Sequence, residues 1–162
     1  MIAWLTRAVC VAFLFANVAA HAQSGTPAAY LIVNGEVATP LTMSEADFKA
    51  LPRSSVTATD ASGNQTTYAG VKLADILLKA GVPLQQNLKG TDVAKYLDAQ
   101  GADGFIAVFA LPEFDQGSFL VADTANNLPL PAGTGPLEII SPNETRHARW
   151  VKQLTLLRIG KI

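Results

Sequence analysis

The sequence predicts an α+β fold built from strand-rich mixed sheets with a few short helices. Apolar runs of strand length outnumber segments with helical periodicity, and no regular β-α-β alternation is present. Loops rich in Pro, Gly and Asn separate these runs, most clearly over residues 126–136. Apolar residues make up 49% of the 162-residue chain and charged residues 15%, so a core can form and disorder is not expected.

The N-terminal segment predicts a signal peptide over residues 1–22, followed by a single domain over residues 23–162. Arg7 precedes the apolar run Ala8–Ala20, which is shorter than the roughly 20 residues needed to span a bilayer. Ala20-His21-Ala22 then supplies the small residues that flank a cleavage site. We therefore expect export to the periplasm through the general secretion route.

Cleavage would change which reactive side chains the domain carries. It would remove Cys10, the only cysteine, and His21, which leaves His147 as the only histidine. The delivered domain would then have no thiolate for a metal or a substrate, and zinc would find only carboxylates beside one imidazole. The sequence also lacks a Gly-x-Ser-x-Gly nucleophile motif. A formal net charge of -1 gives no reason to expect nucleic acid or, after cleavage, a membrane as a partner.

The domain begins with signals for a strand and a short capped helix. The apolar run Tyr30–Val33 ends at an Asn-Gly turn and predicts a strand. Ser44 and Asp47 have the spacing of a capping box, which predicts a helix that continues through Leu51 and stops at the following proline.

A hairpin and the clearest helix follow. The strands Val56–Asp60 and Gln65–Val71 flank a Ser-Gly-Asn turn, which is typical of a hairpin. Apolar residues within Leu73–Ala80 share one helical face, Gly81 suits the C-terminal cap, and Pro83 blocks continuation.

The second half of the domain predicts mostly strands. The segment Val93–Ala99 fits either a helix or a strand, because its periodicity does not decide between them. The remaining apolar runs predict strands over Phe105–Leu111, Ser118–Ala122, Leu137–Ile140 and Leu154–Ile159.

The most informative cluster of side chains lies just before the last strand. Arg146, Arg149 and Lys152 place three cations around His147 and Trp150 in a chain that is otherwise slightly acidic. Each arginine can present a planar fork of donors to phosphate or carboxylate. The cluster therefore predicts an anion site or, alternatively, a solvated basic edge. Elsewhere, the nearby carboxylates of residues 113 and 115 fit either a catalytic pair or a solvated turn.

Six short motifs occur in order along the domain: Asn34-Gly35-Glu36, Tyr68-Ala69-Gly70-Val71-Lys72-Leu73, Ala102-Asp103-Gly104-Phe105, Asn127-Leu128-Pro129-Leu130-Pro131, Gly135-Pro136-Leu137-Glu138-Ile139-Ile140-Ser141-Pro142 and Arg146-His147-Ala148-Arg149-Trp150-Val151. This ordered set resembles the molybdopterin-binding domain of the sulfite oxidase family and covers nearly the whole domain. The resemblance implies a sulfite-oxidase-like fold and molybdopterin as the cofactor. It also implies that Arg146 and Arg149 help to hold the pterin phosphate, as an Arg-x-x-Lys-Trp pattern does in the family.

The resemblance also exposes departures from the family. Catalytic members carry a cysteine that ligates molybdenum in the strand that corresponds to Val56–Asp60, and this chain has none there. Thr59 and Asp60 offer only oxygen, a harder ligand than thiolate. Phe105 stands where many active members have tyrosine. The resemblance therefore implies the following cofactor-binding residues and no metal ligand: Arg146, His147, Arg149, Lys152, Thr59, Asp60, Asp103 and Phe105.

Three functional hypotheses follow. The first is a non-catalytic or accessory protein of the periplasm that binds an anionic, pterin-phosphate-like small molecule. The second is a molybdopterin-dependent oxidoreductase with an altered metal site, in which Asp60 or Thr59 replaces the thiolate. The third is a subunit that docks against a periplasmic redox protein. Since the leader carries one arginine and not a twin pair, a pterin would have to bind after export.

Overall fold

The computed structural model describes residues 28–116, 118–144 and 146–162. The predicted signal peptide lies outside these residues. In chain order the elements are β1 (Leu31–Gly35), β2 (Leu41–Met43), α1 (Glu45–Lys49), β3 (Arg53–Thr59), β4 (Gln65–Lys72), α2 (Leu73–Lys79), β5 (Lys95–Gly101), β6 (Ile106–Ala110), β7 (Leu120–Ala125), β8 (Leu128–Pro129), β9 (Glu138–Ile140) and β10 (Leu154–Lys161). Short 3₁₀ helices span Gln85–Asn87, Gly90–Ala94, Leu111–Gln116 and His147–Arg149. None of the helices in the described part of the chain is long and apolar enough to cross a membrane.

The strands form two sheets. The first has five strands in the order β2-β1-β10-β5-β6, and it is mixed because β1 runs parallel to β10 while its other pairs are antiparallel. The second has the order β3-β4-β7-β8, with β9 also paired to β7, and all of its pairs are antiparallel. This architecture confirms the predicted strand-rich α+β class.

Two clusters of buried side chains stabilise the fold. The main core joins both sheets to the two helices, with Leu157 from the first sheet, Val121 from the second and Ile76 from α2 among its members. A smaller cluster around Tyr68 and Trp150 also takes residues from the second sheet. Burial of these apolar surfaces is the main favourable term in folding. The smaller cluster positions the candidate site.

The local signals of the first half are confirmed, except that α1 ends at Lys49 and not at the predicted Leu51. The Ser44 hydroxyl accepts a hydrogen bond from the Asp47 backbone N–H at 3.2 Å, and the Asp47 carboxylate accepts one from the Ser44 backbone N–H at 2.9 Å. Helix α2 ends at Lys79, and Gly81 adopts φ = +76°, a conformation that glycine reaches without steric cost. Strands β3 and β4 form the predicted hairpin, although β3 begins earlier, at Arg53, and ends at Thr59, which leaves Asp60 in the turn.

The second half shows where local patterns were insufficient. The ambiguous segment 93–99 ends a 3₁₀ helix and then becomes strand β5, whose centre is buried. The sequence did not predict β2 and β8, which have three and two residues. Strands this short carry no periodicity and exist because a neighbouring strand offers hydrogen bonds.

Candidate functional site

Trp150 forms the centre of the candidate site. Its indole ring packs edge-on against Tyr68, with ring centroids 5.6 Å apart at an interplanar angle of 89°. The His147 ring lies on another side, with its centroid 4.1 Å away. The indole N–H donates a buried hydrogen bond of 3.1 Å to the carbonyl oxygen of Ser141. Trp150 is therefore fixed by contacts with three parts of the chain.

Two adjoining cavities open beside Trp150, with volumes of about 620 and 420 Å³. Both are lined by Asp60, Ala61, His147 and Trp150, so they share a wall. Their volumes are typical of small-molecule sites, which measure roughly 300–1,000 Å³. We call the larger the first cavity and the smaller the second cavity.

Five of the residues that the sequence singled out lie together here. Thr59 lines the first cavity from the end of β3, and Arg146 lines it from the loop that leads to β10. Lys152 lines the second cavity. Asp60 and His147 line both. The structure therefore brings together side chains that are more than 80 positions apart in sequence.

Arg149 lies apart from both cavities. Its guanidinium forms ion pairs with Glu113, at 2.9 Å, and with Glu144. Its Cζ atom also lies 4.7 Å from the centroid of the Phe109 ring. The donors of Arg149 are thus engaged by carboxylates of the same chain. The basic cluster divides into a cavity-lining part, Arg146 and Lys152, and a structural part, Arg149.

The carboxylates of residues 113 and 115 also have structural partners. Glu113 pairs with Arg149 and accepts a hydrogen bond of 2.8 Å from the backbone N–H of Ala110. Asp115 accepts one of 2.8 Å from the backbone N–H of Gln85. These contacts favour the structural interpretation over a catalytic pair.

Asp60 organises the turn between β3 and β4. One carboxylate oxygen accepts hydrogen bonds from the backbone N–H groups of Ser62, at 2.8 Å, and Asn64, at 2.9 Å. The other accepts one of 3.1 Å from the Thr66 hydroxyl. The donation from Asn64 is the main reason that the pKa of Asp60 lies below its ordinary value.

Thr59 is engaged in the same hairpin. Its hydroxyl accepts a hydrogen bond of 2.8 Å from the side-chain amide of Gln65. Both residues that the altered-metal-site hypothesis needs therefore stabilise the hairpin.

Asp103 and Phe105 line neither cavity. Asp103 accepts a hydrogen bond of 2.9 Å from the Phe105 backbone N–H, which closes the turn between β5 and β6. The Phe105 side chain is 44% exposed. Asp103 therefore has a structural contact in this turn, and both residues lie outside the two cavities.

Sequence reasoning missed Glu138 and Tyr68 as site residues. Both are buried and line the second cavity, at 4% and 6% exposure. Burial raises the pKa of Glu138 to about 7, against the opposing effect of Lys152, and burial raises the pKa of Tyr68 to about 12. Glu138 carried a signal in the sequence, because a carboxylate inside an apolar strand run needs a compensating partner or a function.

The family comparison assigns the chain by sequence. The model of the oxidoreductase molybdopterin binding domain matches residues 20–161. The chain belongs to this family. This membership confirms the resemblance to sulfite oxidase proteins and makes the domain a molybdopterin-binding, oxidoreductase-like one. No curated protein matches the chain in the sequence comparison.

A solved structure supports the same fold for this molybdopterin-binding domain. The sulfane dehydrogenase SoxCD from Paracoccus pantotrophus matches it with a TM-score of 0.64 and 23% sequence identity. The match covers 80% of this chain and 37% of the SoxCD chain, so this chain spans little more than a third of that chain's length. At this identity the likeness establishes the fold.

The site offers residues that suit two parts of molybdopterin, its phosphate and its planar pterin ring. Arg146 and Lys152 suit the phosphate, and the aromatic and apolar walls of the second cavity suit a planar ring. The described residues contain no cluster of three or more His, Cys, Asp or Glu side chains. The only cysteine of the sequence, Cys10, lies in the predicted leader.

Proposed function

We propose that this member of the molybdopterin-binding family is a non-catalytic binding protein for an anionic, pterin-phosphate-like ligand. The observation that carries the proposal is the pair of adjoining cavities around Trp150, with Arg146 in the lining of the first, Lys152 in the lining of the second and His147 in both. A small molecule with a planar ring and a phosphate suits the apolar walls and the two cations of this space.

Arg146 and Lys152 contribute in different ways to holding the ligand. Arg146 is exposed on the rim of the first cavity, and none of the ion pairs between described residues involves it or Lys152. An arginine in this state offers its planar fork to a phosphate, while a lysine contributes a point charge. Trp150 supplies a fixed aromatic wall between them.

The proposal of a non-catalytic role rests on the donor atoms at the end of β3. Molybdopterin supplies redox chemistry through its metal, which a protein thiolate ligates in catalytic members of the family. At this position the chain offers Thr59 and Asp60, whose oxygens are hard donors already engaged in the hairpin. These residues hold the cavity wall in place, and the cations bind the ligand.

Direct binding measurements test this function. Titration of 6-hydroxymethylpterin phosphate into the wild-type domain in a calorimeter should give saturable one-to-one binding. Arg146→Ala should weaken binding roughly tenfold, since a charge-assisted hydrogen bond contributes about 1.5–3 kcal/mol. Arg158→Ala is the matched control, because Arg158 pairs with Asp98 in the other sheet. Equal affinity of wild type and Arg146→Ala would contradict the proposal, and stoichiometric molybdenum in protein from native periplasm would contradict the non-catalytic role.

We also propose that the protein acts in the periplasm after removal of residues 1–22. The apolar run after Arg7 and the Ala20-His21-Ala22 site support this proposal. Cell fractionation with N-terminal sequencing tests it, and the mature protein should begin at Gln23. A cytoplasmic protein that retains Met1 would contradict it.

Docking against a periplasmic redox protein is the second candidate, and the edge strand β6 favours it. Ile106 and Val108 on β6 are 48% and 55% exposed, and Phe105 lies beside them. Exposed apolar side chains on an edge strand are typical of surfaces that pair with a partner. Retention of a haem protein from native periplasm by the immobilised domain, lost in Val108→Lys, would support this role. Equal retention by both would contradict it.

A further inference from the structure

Glu138 is a buried carboxyl group that phosphate binding leaves unexplained. It lies on β9, in the second cavity, with 4% of its surface exposed. No hydrogen bond or ion pair engages its carboxylate among the residues that the structure describes. Its oxygens are not among the fully buried unpartnered atoms of the described residues, so they face the cavity, where a ligand can reach them.

The surroundings of Glu138 define what could bind to it. Trp150 and Leu130 provide apolar walls, and Tyr68 brings a hydroxyl to the same cavity. Lys152 and Asp60, also in the lining, are the charged groups that face this space. The lining of the cavity thus combines apolar and aromatic walls with a carboxylate and a cation.

We propose that the Glu138 carboxylate selects the ligand by accepting the paired N–H groups of a 2-amino-4-oxopyrimidine ring. A pterin presents this edge, in which a ring N–H and the adjacent amino group point the same way. The two oxygens of one carboxylate match these two donors. The inference rests on the proposed function and deepens it, because it names the part of the ligand that the second cavity reads.

The arrangement of the two cavities supports this assignment. They share His147 and Trp150, so a ring in the second cavity can carry its phosphate into the first, where Arg146 lies. A volume of about 420 Å³ admits a bicyclic ring. The ring would thereby satisfy a carboxylate that has no other partner among the described residues.

The protonation state of Glu138 should also affect recognition of the ring. Only the ionised carboxylate accepts both N–H groups, and burial raises the pKa of Glu138 to about 7. Lys152 opposes this rise, and the other titratable groups of the lining are Tyr68, Asp60 and His147. Recognition of the ring should therefore weaken as the pH falls below neutrality.

The test compares two ligands that differ only at the recognised edge. Calorimetry with 6-hydroxymethylpterin phosphate and with its 2-deamino analogue should show about tenfold tighter binding of the former to the wild-type protein. Glu138→Gln should reduce this ratio to about twofold or less, since an amide cannot accept both donors. For the wild-type protein, the ratio of the two affinities should also fall as the pH is lowered from about 8 to about 5.5, because the Glu138 carboxylate becomes protonated. The phosphate contributes equally to both affinities, so it does not change this ratio.

The outcomes separate the two proposals. Equal affinity of wild type for both ligands, with binding still weakened by Arg146→Ala, would overturn the role of Glu138 and leave the anion site in place. An unchanged ratio in a folded Glu138→Gln protein, with folding checked by circular dichroism, would also overturn it. Failure of the wild-type protein to bind either ligand would overturn both.

Discussion

The indole N–H of Trp150 donates a hydrogen bond of 3.1 Å to the carbonyl oxygen of Ser141, and both residues are buried. This bond ties the segment before β10 to the end of β9. The aromatic wall of the site is thereby held by the backbone as well as by side-chain packing.

Trp150→Phe should destabilise the protein by about 2 kcal/mol, because it leaves the buried Ser141 carbonyl without its donor and removes packing atoms. Urea unfolding followed by circular dichroism measures this change. Tyr30→Phe is a suitable control, since the Tyr30 hydroxyl makes only a marginal contact of 3.5 Å with Pro136. Similar losses in the two variants would show that the Trp150 hydrogen bond contributes little.

Arg149→Ala should mainly lower stability, whereas Arg146→Ala should mainly weaken ligand binding. Loss of Arg149 removes the partner of Glu113 and Glu144 and should cost about 1 kcal/mol of stability, with ligand affinity changed less than about twofold. Loss of the exposed Arg146 should weaken binding and leave the melting temperature unchanged. Thermal melts and calorimetry on both variants check this separation, which fails if Arg149→Ala weakens binding as strongly as Arg146→Ala.

The pH dependence of stability should reveal Glu138. Its pKa rises from 4.5 to about 7 on folding because burial disfavours the charged form. Between these two values the unfolded chain has lost a proton that the folded protein keeps, so this group lowers stability as the pH rises through that window. The loss is complete above neutrality and amounts to as much as about 3 kcal/mol.

Glu138→Gln should consequently be more stable than wild type at about pH 8 and similar to it near pH 4. Urea unfolding across this range measures the difference. A constant difference at every pH would show that ionisation of Glu138 is not its source. The variant that binds the ring worst is thus expected to be the more stable protein, a trade-off that is common at binding sites.

Gly70→Ala should disrupt the second sheet. The pairing of β4 with β7 shifts register between Ala69 and Gly70, and a Cβ atom at Gly70 would overlap the carbonyl oxygen of Val121. Because backbone must move to relieve this clash, we expect a loss of about 3 kcal/mol. Gly133→Ala is the matched control, since nothing lies within 4 Å of its added Cβ. Equal stability of the two variants would contradict this reasoning.

Local sequence signals predicted most of the fold. The capping box at Ser44, the helix before Gly81 and the hairpin around Asp60 all depend on residues within a few positions of one another. Strand β8 depends on a neighbouring strand, so no local pattern revealed it.

The site was harder to predict for a related reason. The sequence predicted Arg149 as an anion ligand, and it cannot show that Glu113, 36 positions away, pairs with Arg149. The family resemblance, by contrast, grouped Thr59 and Asp60 with the basic cluster, and the structure places both in the lining of the cavity that Arg146 also lines. Glu138 stands out in the sequence as a charged residue inside an apolar strand, but only the structure shows that it lines a cavity.

Strand β7 contributes side chains to both clusters of buried residues. Val121 belongs to the main core, whereas Leu120 and Ala122 on either side of it belong to the cluster around Trp150. One face of β7 therefore packs into the main core and the other face packs into the smaller cluster. Amide hydrogens along this strand should therefore exchange slowly with solvent, since opening the strand would disturb both clusters.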